Sequence, residues 1–354
     1  MVCKIEAIEI NDVFDLSEED AQTRSDFAAS IRENNYVMKT LRTDLPEEEY
    51  TKGIVDLAIE ADFLAVLSHP NIISMRAMAN SDPHESKFFV ILDRLGTTLD
   101  RKFNVWRKQV GENMGVWAGP FGYCCSKDQF LYTTWLERLT AARDISNAIY
   151  YLHSNAIVYR DLKPDNLGFD ASGSLKLFDF GLAKRLDPMD KTNNDLYMLT
   201  GNTGSLRYMA PEVARGEPYD HRVDAYSFGI LFWQICSLQT PYAGFSTKMH
   251  AEKVVHSGVR PDVERSWPLS WVELMTKCWD PILTSRPQFD EVAVFLENQV
   301  DELQHNEGEV PSRASEIRAK KRKKKVSPNG RLDVDTRLAS EDETTSKRFD
   351  TEMV

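Results

Sequence analysis

The sequence predicts an α+β protein with two lobes, in which a small β-sheet carrying one main helix is followed by a larger, mostly helical part. Residues 35–41 and 87–92 are short runs rich in β-branched and aromatic residues, which is typical of strands. Residues 46–67 lie between them and have the length and charge pattern of a helix. From about residue 131 to 300, apolar residues recur at helical spacing.

The starts of two helices can be placed from local signals. Pro46 suits a first helical turn because its missing N–H has no role there, and the glutamates at 47–49 favour the positive end of the helix dipole. Thr133 and Thr134 offer N-caps for a second helix. Five apolar residues follow at helical spacing: Leu136, Leu139, Ile145, Ile149 and Leu152. Residues 224–236 are apolar nearly all round, which predicts a helix buried inside the lobe.

The composition is that of a globular protein in a reducing compartment. Hydrophobic residues make up 42% of the 354 residues, too many for a mostly disordered chain. The chain has 43 Lys and Arg against 55 Asp and Glu, and this net charge of −12 argues against general binding of nucleic acid. The five cysteines form no CxxC pair and no Cys/His cluster, so neither a disulfide scaffold nor a zinc site is expected.

No stretch of the sequence predicts a membrane protein or a secreted one. The longest nearly apolar run, residues 225–236, is shorter than the roughly 20 residues that span a bilayer. Met1 is followed by no apolar signal-peptide core. We therefore expect a protein of the cytoplasm or nucleus that has no membrane partner.

Two segments lack a regular pattern. Glycines punctuate residues 104–130, which predicts an irregular insert. Residues 305–354 have no apolar periodicity and carry 12 basic and 10 acidic residues, which predicts a disordered charged tail. Within this tail, the basic run 318–325 is either a nuclear-localisation signal or a solvated part of the tail.

Three motifs in the second half of the chain carry the chemistry. They are YRDLKPDN at residues 159–166, DFG at 179–181 and APE at 210–212. In this order and at this spacing they resemble the catalytic-loop, metal-binding and activation-segment motifs of the eukaryotic protein-kinase family. The resemblance extends from about Tyr36 to Phe295. It implies a bilobal protein kinase fold, with a kinase domain at 1–304 divided into an N-lobe at about 1–93 and a C-lobe at about 94–304.

The resemblance implies transfer of the γ-phosphoryl group of ATP to a protein hydroxyl, a reaction in which a kinase mainly positions groups and neutralises charge. Asp161 matches the catalytic aspartate that accepts the proton of the substrate hydroxyl, and Lys163 would steady the transferring group. Asn166 and Asp179 would supply the oxygen ligands that Mg²⁺ prefers. ATP and Mg²⁺ are therefore expected at this site.

The resemblance also assigns ATP-binding positions in the N-lobe. Lys39 lies in a strand-like run and is expected to contact the α- and β-phosphates. Its expected partner is Glu60 on the following helix, with Asp56, one turn earlier, as the alternative. Leu92 and Asp93 resemble the gatekeeper and the first hinge residue, where backbone groups bind adenine.

Other matched positions are structural. Asp224 is expected to hydrogen-bond the backbone of the catalytic loop, and Glu212 is expected to pair with Arg286 at the end of the activation segment. Four apolar residues match the stack that couples the lobes in active kinases: Leu64, Met75, Tyr159 and Phe180.

Two details bear on substrate class. Lys163 and Ser205 match the Ser/Thr-kinase pattern, in which the Ser205 hydroxyl would touch the catalytic aspartate and lysine. Residues 207–212 and the pair Cys278-Trp279 look like the tyrosine-kinase-like branch, whose members mostly phosphorylate Ser and Thr. The expected activity is therefore that of a protein serine/threonine kinase acting on protein substrates in signal transduction.

The activation segment contains candidate regulatory residues. Arg160 precedes the catalytic aspartate, so a phosphate on the segment could pair with it and order the loop. Thr200 and Thr203 are the best candidates for this phosphate, with Tyr197 behind them. An upstream activating kinase is then an expected partner.

One expected motif is missing. The glycine-rich loop of the family should lie about twenty residues before Lys39, where its backbone amides cradle the phosphates of ATP. No glycine precedes Gly53, and the acidic segment 17–22 stands in the expected place. Three explanations are open: the loop is degenerate in a working enzyme, the N-terminal part is shortened or divergent, or the protein is a pseudokinase or scaffold with weak or no catalysis. The intact set of catalytic positions named above favours the enzyme.

Overall fold

The N-lobe is built on a sheet of four antiparallel strands. The computed structural model describes residues 2–4, 35–42, 44–82, 88–112, 127–192, 194–305 and 311–318. The strands are β1 (Val2–Lys4), β2 (Tyr36–Thr40), β3 (Met75–Met78) and β4 (Phe89–Asp93), in the order β1-β2-β4-β3. The pairing of β2 with β4 sets Lys39 opposite Val90. The two strands predicted from the sequence are thus the central pair of this sheet.

One helix, α1 (Glu47–Val66), lies between β2 and β3 in the chain. It begins after Pro46 with three acidic residues in its first turn, as the sequence predicts. Its buried residues recur at helical spacing: Ile54, Leu57, Glu60, Ala61 and Leu64. Glu60 is the charged member of this buried face, and a buried carboxylate requires a hydrogen-bonded or charged partner.

The C-lobe is mostly helical. Its helices are α2 (Leu99–Glu112), α3 (Lys127–Ser154), α4 (Pro211–Arg215), α5 (Arg222–Ser237), α6 (Thr247–His250), α7 (Leu269–Cys278) and α8 (Phe289–His305). Its short strands are β5 (Thr97–Thr98), β6 (Ile157–Val158), β7 (Leu167–Phe169), β8 (Leu175–Leu177) and β9 (Lys184–Arg185). Together with the N-lobe sheet, this arrangement confirms the predicted α+β fold. No helix in the described ranges is long and apolar enough to cross a membrane.

Helix α5 runs through the centre of the C-lobe. Every residue from Val223 to Cys236 is buried, as its all-round apolar character predicts. A Cβ at Gly229 would lie 2.8 Å from the Cβ of Cys278 on α7, so a glycine is needed for this close approach. Asp224 in the first turn is fully buried, and its carboxylate must therefore find partners inside the lobe.

One hydrophobic cluster extends across both lobes. It contains Leu57 and Leu64 of α1, Leu92 of β4, and Tyr159 and Phe180 from the segments that follow β6 and β8. Because the same cluster continues into α3 and α5, the apolar residues of the catalytic segments share one core with helices of both lobes. The position of α1 is in this way coupled by packing to the segments that carry the predicted catalytic residues.

The region predicted as an irregular insert at 104–130 is partly helical. Helix α2 continues to Glu112, and α3 begins at Lys127. Residues 113–126, between the two helices, lie outside the described part of the chain. Leu99, Phe103 and Trp106 are fully buried on one face of α2, which explains why the helix forms. Thr133 and Thr134 lie inside α3 and are not its N-caps.

The region predicted as a disordered tail, residues 305–354, is partly helical where the structure describes it, and residues 319–354 lie outside the described part of the chain. Residues 313–318 are helical. The Arg313 N–H donates to the Ser266 carbonyl at 2.8 Å, and the Leu269 N–H at the start of α7 donates to Glu316 Oε2 at 2.6 Å. A helix start has unpaired N–H groups, and Glu316 satisfies one of them. The basic run lies outside the described residues after Arg318, so its nuclear role stays a prediction.

Candidate active site

The catalytic loop is held by the start of α5. The Asp224 carboxylate accepts the backbone N–H of Tyr159 and that of Arg160, each at 2.8 Å. Arg160 has a φ of 70°, which is uncommon for a residue other than glycine, and these hydrogen bonds stabilise it. The His153 ring also contacts the Asp224 carboxylate, at 2.9 Å. The structure thus places Asp224 where the sequence expects it.

Asp161 lies at the centre of a hydrogen-bond network. Lys163 Nζ is 2.6 Å from Asp161 Oδ2, and Asn166 Nδ2 donates to the same oxygen at 2.9 Å. The backbone N–H of Ser205 donates to Asp161 Oδ1 at 2.9 Å. Asp161 is 7% exposed, so its carboxylate is oriented by three donors in a largely dehydrated position. A carboxylate fixed in this way can accept a proton from a group presented to it.

The structure corrects the contact expected for Ser205. Its backbone N–H, rather than its hydroxyl, is the group that reaches Asp161 among the contacts of the described residues. The preceding residue, Gly204, lies very close to the catalytic loop. A Cβ at this position would overlap the Arg160 carbonyl oxygen. Gly204 has a φ of 94°, which further restricts the position to glycine. The segment therefore presents its backbone to the catalytic loop.

A second cluster joins the N-lobe to Asp179. Lys39 Nζ on β2 forms a short ion pair with Glu60 Oε2 on α1 and a longer one with Asp179 Oδ1 at 3.2 Å. Burial would lower the pKa of Lys39, but Glu60 and Asp179 outweigh it and raise this pKa, so the ammonium stays charged. The partner of Lys39 is thus Glu60 and not Asp56. The backbone of Asp56 instead packs against Gly181 of the DFG motif, where an added Cβ would be 3.1 Å from the Asp56 carbonyl oxygen.

The residues present fit a magnesium ion that is shared with a phosphate ligand. Asn166 turns its Nδ2 to Asp161, so its carbonyl oxygen points away from that carboxylate and remains an acceptor. The Asp179 side chain is 44% exposed and has a carboxylate. No group of three His, Cys, Asp or Glu in the described ranges could hold a metal ion alone. Mg²⁺ is commonly bound in this manner, by one or two protein oxygens together with phosphates and water.

The predicted hinge residues lie at the end of β4. Leu92 is buried and pairs with Val37 of β2 and Met75 of β3. Asp93 donates its N–H to the Ser74 carbonyl at 3.1 Å. Its carboxylate accepts two hydrogen bonds from Arg76, at 2.6 and 2.7 Å, a partner that the sequence does not reveal. These contacts fix the point at which the chain leaves the N-lobe.

The four residues predicted to couple the lobes lie in one apolar cluster. Leu64 is 5% exposed, Tyr159 and Phe180 are fully buried, and Met75 packs against the same cluster. The rings of Tyr159 and Phe180 meet edge to face with centroids 5.4 Å apart. The Tyr159 hydroxyl donates to the Phe178 carbonyl at 2.5 Å, and burial raises the pKa of this hydroxyl well above its usual value.

Of the three candidate phosphorylation residues, Thr200, Thr203 and Tyr197, the structure brings the Thr200 hydroxyl to Arg160. Arg160 Nη1 lies 3.4 Å from the Thr200 hydroxyl and 3.3 Å from the Tyr219 hydroxyl. The Thr203 hydroxyl is turned toward the carbonyls of Thr200 and Gly201, at 3.2 Å each. The Thr200 side chain is exposed. Tyr219 was not singled out in the sequence, because only the fold brings it to the catalytic loop.

Glu212 and Arg286 form the buried ion pair that the sequence predicts. Arg286 donates to both carboxylate oxygens, Nη1 to Oε1 at 2.5 Å and Nη2 to Oε2 at 2.9 Å. The Arg286 side chain is fully buried, and its Nε donates to the Asp280 carbonyl at 2.9 Å. The pair links α4, which follows the activation segment, to the segment before α8.

Comparison with known proteins agrees with this geometry. Residues 27–294 match the family model described as the protein kinase domain, and the chain belongs to this family. The match begins after residues 17–22, the segment that stands where the glycine-rich loop is expected.

Several protein kinases are similar to this chain. Serine/threonine-protein kinase STY17 of Arabidopsis thaliana is 35% identical over 169 residues, which cover 48% of this chain and 28% of that protein. Serine/threonine-protein kinase mos of Patiria pectinifera is 28% identical over 254 residues, covering 70% of this chain and 65% of that protein. Serine/threonine/tyrosine-protein kinase HT1 of Arabidopsis thaliana is 32% identical over 183 residues, which cover 52% of this chain and 45% of that protein. The chain spans less than two thirds of the length of each of these relatives.

Proposed function

We propose that this chain is an ATP-dependent protein serine/threonine kinase, which transfers the γ-phosphoryl group of ATP to a hydroxyl group of a protein substrate. The observation that carries the proposal is the network centred on Asp161, in which Lys163, Asn166 and the Ser205 backbone orient one carboxylate. The names of the similar proteins and the Lys163 position support Ser and Thr as acceptors.

In this proposal, Asp161 accepts the proton of the substrate hydroxyl. Its three donors hold the carboxylate in one orientation, so little reorganisation is needed when the hydroxyl arrives. Lys163 contributes a positive charge 2.6 Å from Asp161, and negative charge on the transferring group is stabilised by such a cation. The backbone N–H of Ser205 keeps the activation segment against this site.

The expected phosphate and metal contacts come from both lobes. Lys39 is held by Glu60 and stays charged, which suits contact with the phosphates of ATP. Mg²⁺, when bound, supplies charge neutralisation at those phosphates. Asn166 and Asp179 are the residues that would hold it. No observation of the described residues favours a pseudokinase. Lys39, Glu60 and Asp179 form one of the two clusters, and Asp161 and Lys163 belong to the other.

The proposal is tested by incubating the protein with Mg²⁺, radiolabelled ATP and a general protein substrate, followed by phosphoamino-acid analysis. We expect label on Ser and Thr from the wild type and almost none from Lys39→Met, because the variant lacks the cation that meets Glu60 and Asp179. Lys52→Met is the matched control, since Lys52 is exposed on α1. Absence of transfer by a well-folded wild type, or label on tyrosine alone, would contradict the proposal.

The missing glycines lead to a separate prediction on ATP affinity. We expect a KM for ATP higher than the micromolar values usual for kinases, together with an ordinary kcat. The glycines that this sequence lacks would bind phosphates in the ground state and the transition state alike. Initial rates over a range of Mg-ATP concentrations measure both constants. A KM in the low micromolar range would mean that the chain binds phosphates well without those glycines.

We also propose that phosphorylation of Thr200 or Thr203 raises activity. A phosphate on Thr200 would lie next to Arg160, whose guanidinium is 3.4 Å from the hydroxyl, and would add a charge-assisted contact. The double variant Thr200→Ala/Thr203→Ala is expected to have lower kcat than a wild type carrying the phosphate, as checked by mass spectrometry. Full activity in the double variant would rule out this regulation.

A further inference from the structure

The partners of Arg160 give the activation segment a way to order itself without a phosphate. Arg160 Nε donates to the Leu182 carbonyl at 2.7 Å, and Nη1 contacts the hydroxyls of Tyr219 and Thr200. No carboxylate of the described residues forms a salt bridge with Arg160. The guanidinium is thus satisfied by three neutral oxygen atoms. Those of Leu182 and Thr200 lie between the DFG and APE motifs, and the third belongs to Tyr219.

Tyr219 connects to the activation segment through both its side chain and its backbone. Its hydroxyl donates to the Thr200 carbonyl at 2.9 Å while it accepts from Arg160. Its backbone exchanges two hydrogen bonds with Tyr197, at 2.9 and 3.0 Å, which form a short antiparallel bridge. Tyr219 is fully buried, so it can maintain these contacts without competition from water.

Tyr219 is itself held by rigid elements. It lies between α4 and α5, one residue before Asp220, whose carboxylate accepts the Arg222 N–H at 2.8 Å at the start of α5. Because α5 also anchors the catalytic loop through Asp224, the loop and Tyr219 are fixed by the same helix. A residue placed in this way can set the position of a neighbouring segment relative to Asp161.

We propose that Tyr219 is a positioning residue that holds the activation segment in its ordered arrangement before any phosphate is added. This inference rests on the proposed kinase function. The Arg160–Tyr219–Thr200 contacts keep the segment against the catalytic loop, and through Gly204 they place the Ser205 N–H on Asp161. The unphosphorylated protein therefore has substantial activity, and phosphorylation at Thr200 increases it by a modest factor.

The test compares full-length wild type with Tyr219→Phe, both treated with phosphatase and shown by mass spectrometry to carry no phosphate. The variant keeps the buried ring and loses two hydrogen bonds, so we expect its kcat to fall by about tenfold. Amide hydrogen exchange in residues 187–204 is expected to become faster, and exchange in α5 to stay unchanged. Exposed Tyr150→Phe on α3 is the matched control and should leave both readouts unchanged.

The outcomes separate this proposal from the kinase proposal itself. If the wild type transfers phosphate only after its activation segment has been phosphorylated, the role of Tyr219 is wrong while the kinase function stands. The same holds if Tyr219→Phe retains the exchange pattern and kcat of the wild type. If the wild type transfers no phosphate in either state, the kinase function fails, and faster exchange in Tyr219→Phe would then still support the positioning role.

Discussion

The Asp161→Asn variant is expected to lose most of its phosphoryl-transfer activity, with kcat reduced by about 10²–10⁴-fold, the usual contribution of a positioned proton acceptor. Asparagine has nearly the same shape, so the hydrogen bonds from Lys163, Asn166 and the Ser205 N–H can be partly kept. What is lost is the negative charge and the proton affinity of the carboxylate. Steady-state assays with saturating Mg-ATP measure this loss directly.

The neighbouring Asp165→Asn variant is the matched control for this prediction. Asp165 lies in the same loop but its side chain is exposed, so the same chemical change should alter kcat little. Thermal shift with Mg-ATP should show that Asp161→Asn still binds nucleotide, because Lys39 and Asp179 are unchanged. Equal activity of Asp161→Asn and wild type would show that Asp161 is not the proton acceptor.

The Arg286→Met variant is expected to lose about 3–5 kcal/mol of stability, because it leaves the Glu212 carboxylate buried without its charged partner. In a folded domain of about 300 residues, that loss corresponds to a decrease in Tm of roughly 5–8 °C. Calorimetry or a thermal shift assay measures it. A double variant, Arg286→Met/Glu212→Leu, should recover a large part of the loss, since an apolar pair removes the isolated charge.

Arg42→Met provides the control for this second prediction. Arg42 pairs with Asp44 in a solvent-exposed ion pair, with the two side chains 49% and 65% exposed. Exposed pairs are screened by water and contribute little, so the Tm should stay close to that of the wild type. If Arg286→Met unfolds at the same temperature as Arg42→Met, the buried pair does not stabilise the fold in the way argued above.

The motifs predict the fold and much of the site because their residues are close in sequence or fall on well-patterned elements. Lys39 lies in a strand and Glu60 on the next helix, and the resemblance to protein kinases implies the pair that the structure contains. Asp161, Lys163 and Asn166 belong to one short loop, and local spacing is enough to bring them together. In these cases the resemblance and the local spacing together identify the residues that meet.

Contacts between distant segments were harder to predict. The Tyr219 hydroxyl reaches Arg160 across 59 residues, and no local pattern signals such a contact. Ser205 shows another limit, since the sequence identifies the residue while the close approach at Gly204 decides that the backbone makes the contact. Helix α2 did have a signal, because Leu99, Phe103 and Trp106 are spaced as on one helix face, but the glycines nearby favoured a loop.

The contact between Glu316 and α7 changes where the folded unit can be cut. A protein cut at residue 304, the boundary predicted from the motifs, would end in the last turn of α8. It would lack Glu316, the acceptor for the Leu269 N–H. That N–H belongs to a helix preceded by Pro268, which supplies no side-chain cap of its own. A shortened protein would therefore expose one end of α7 to fraying, and its stability would differ from that of the full chain. The recombinant kinase domain should extend through residue 318 at least.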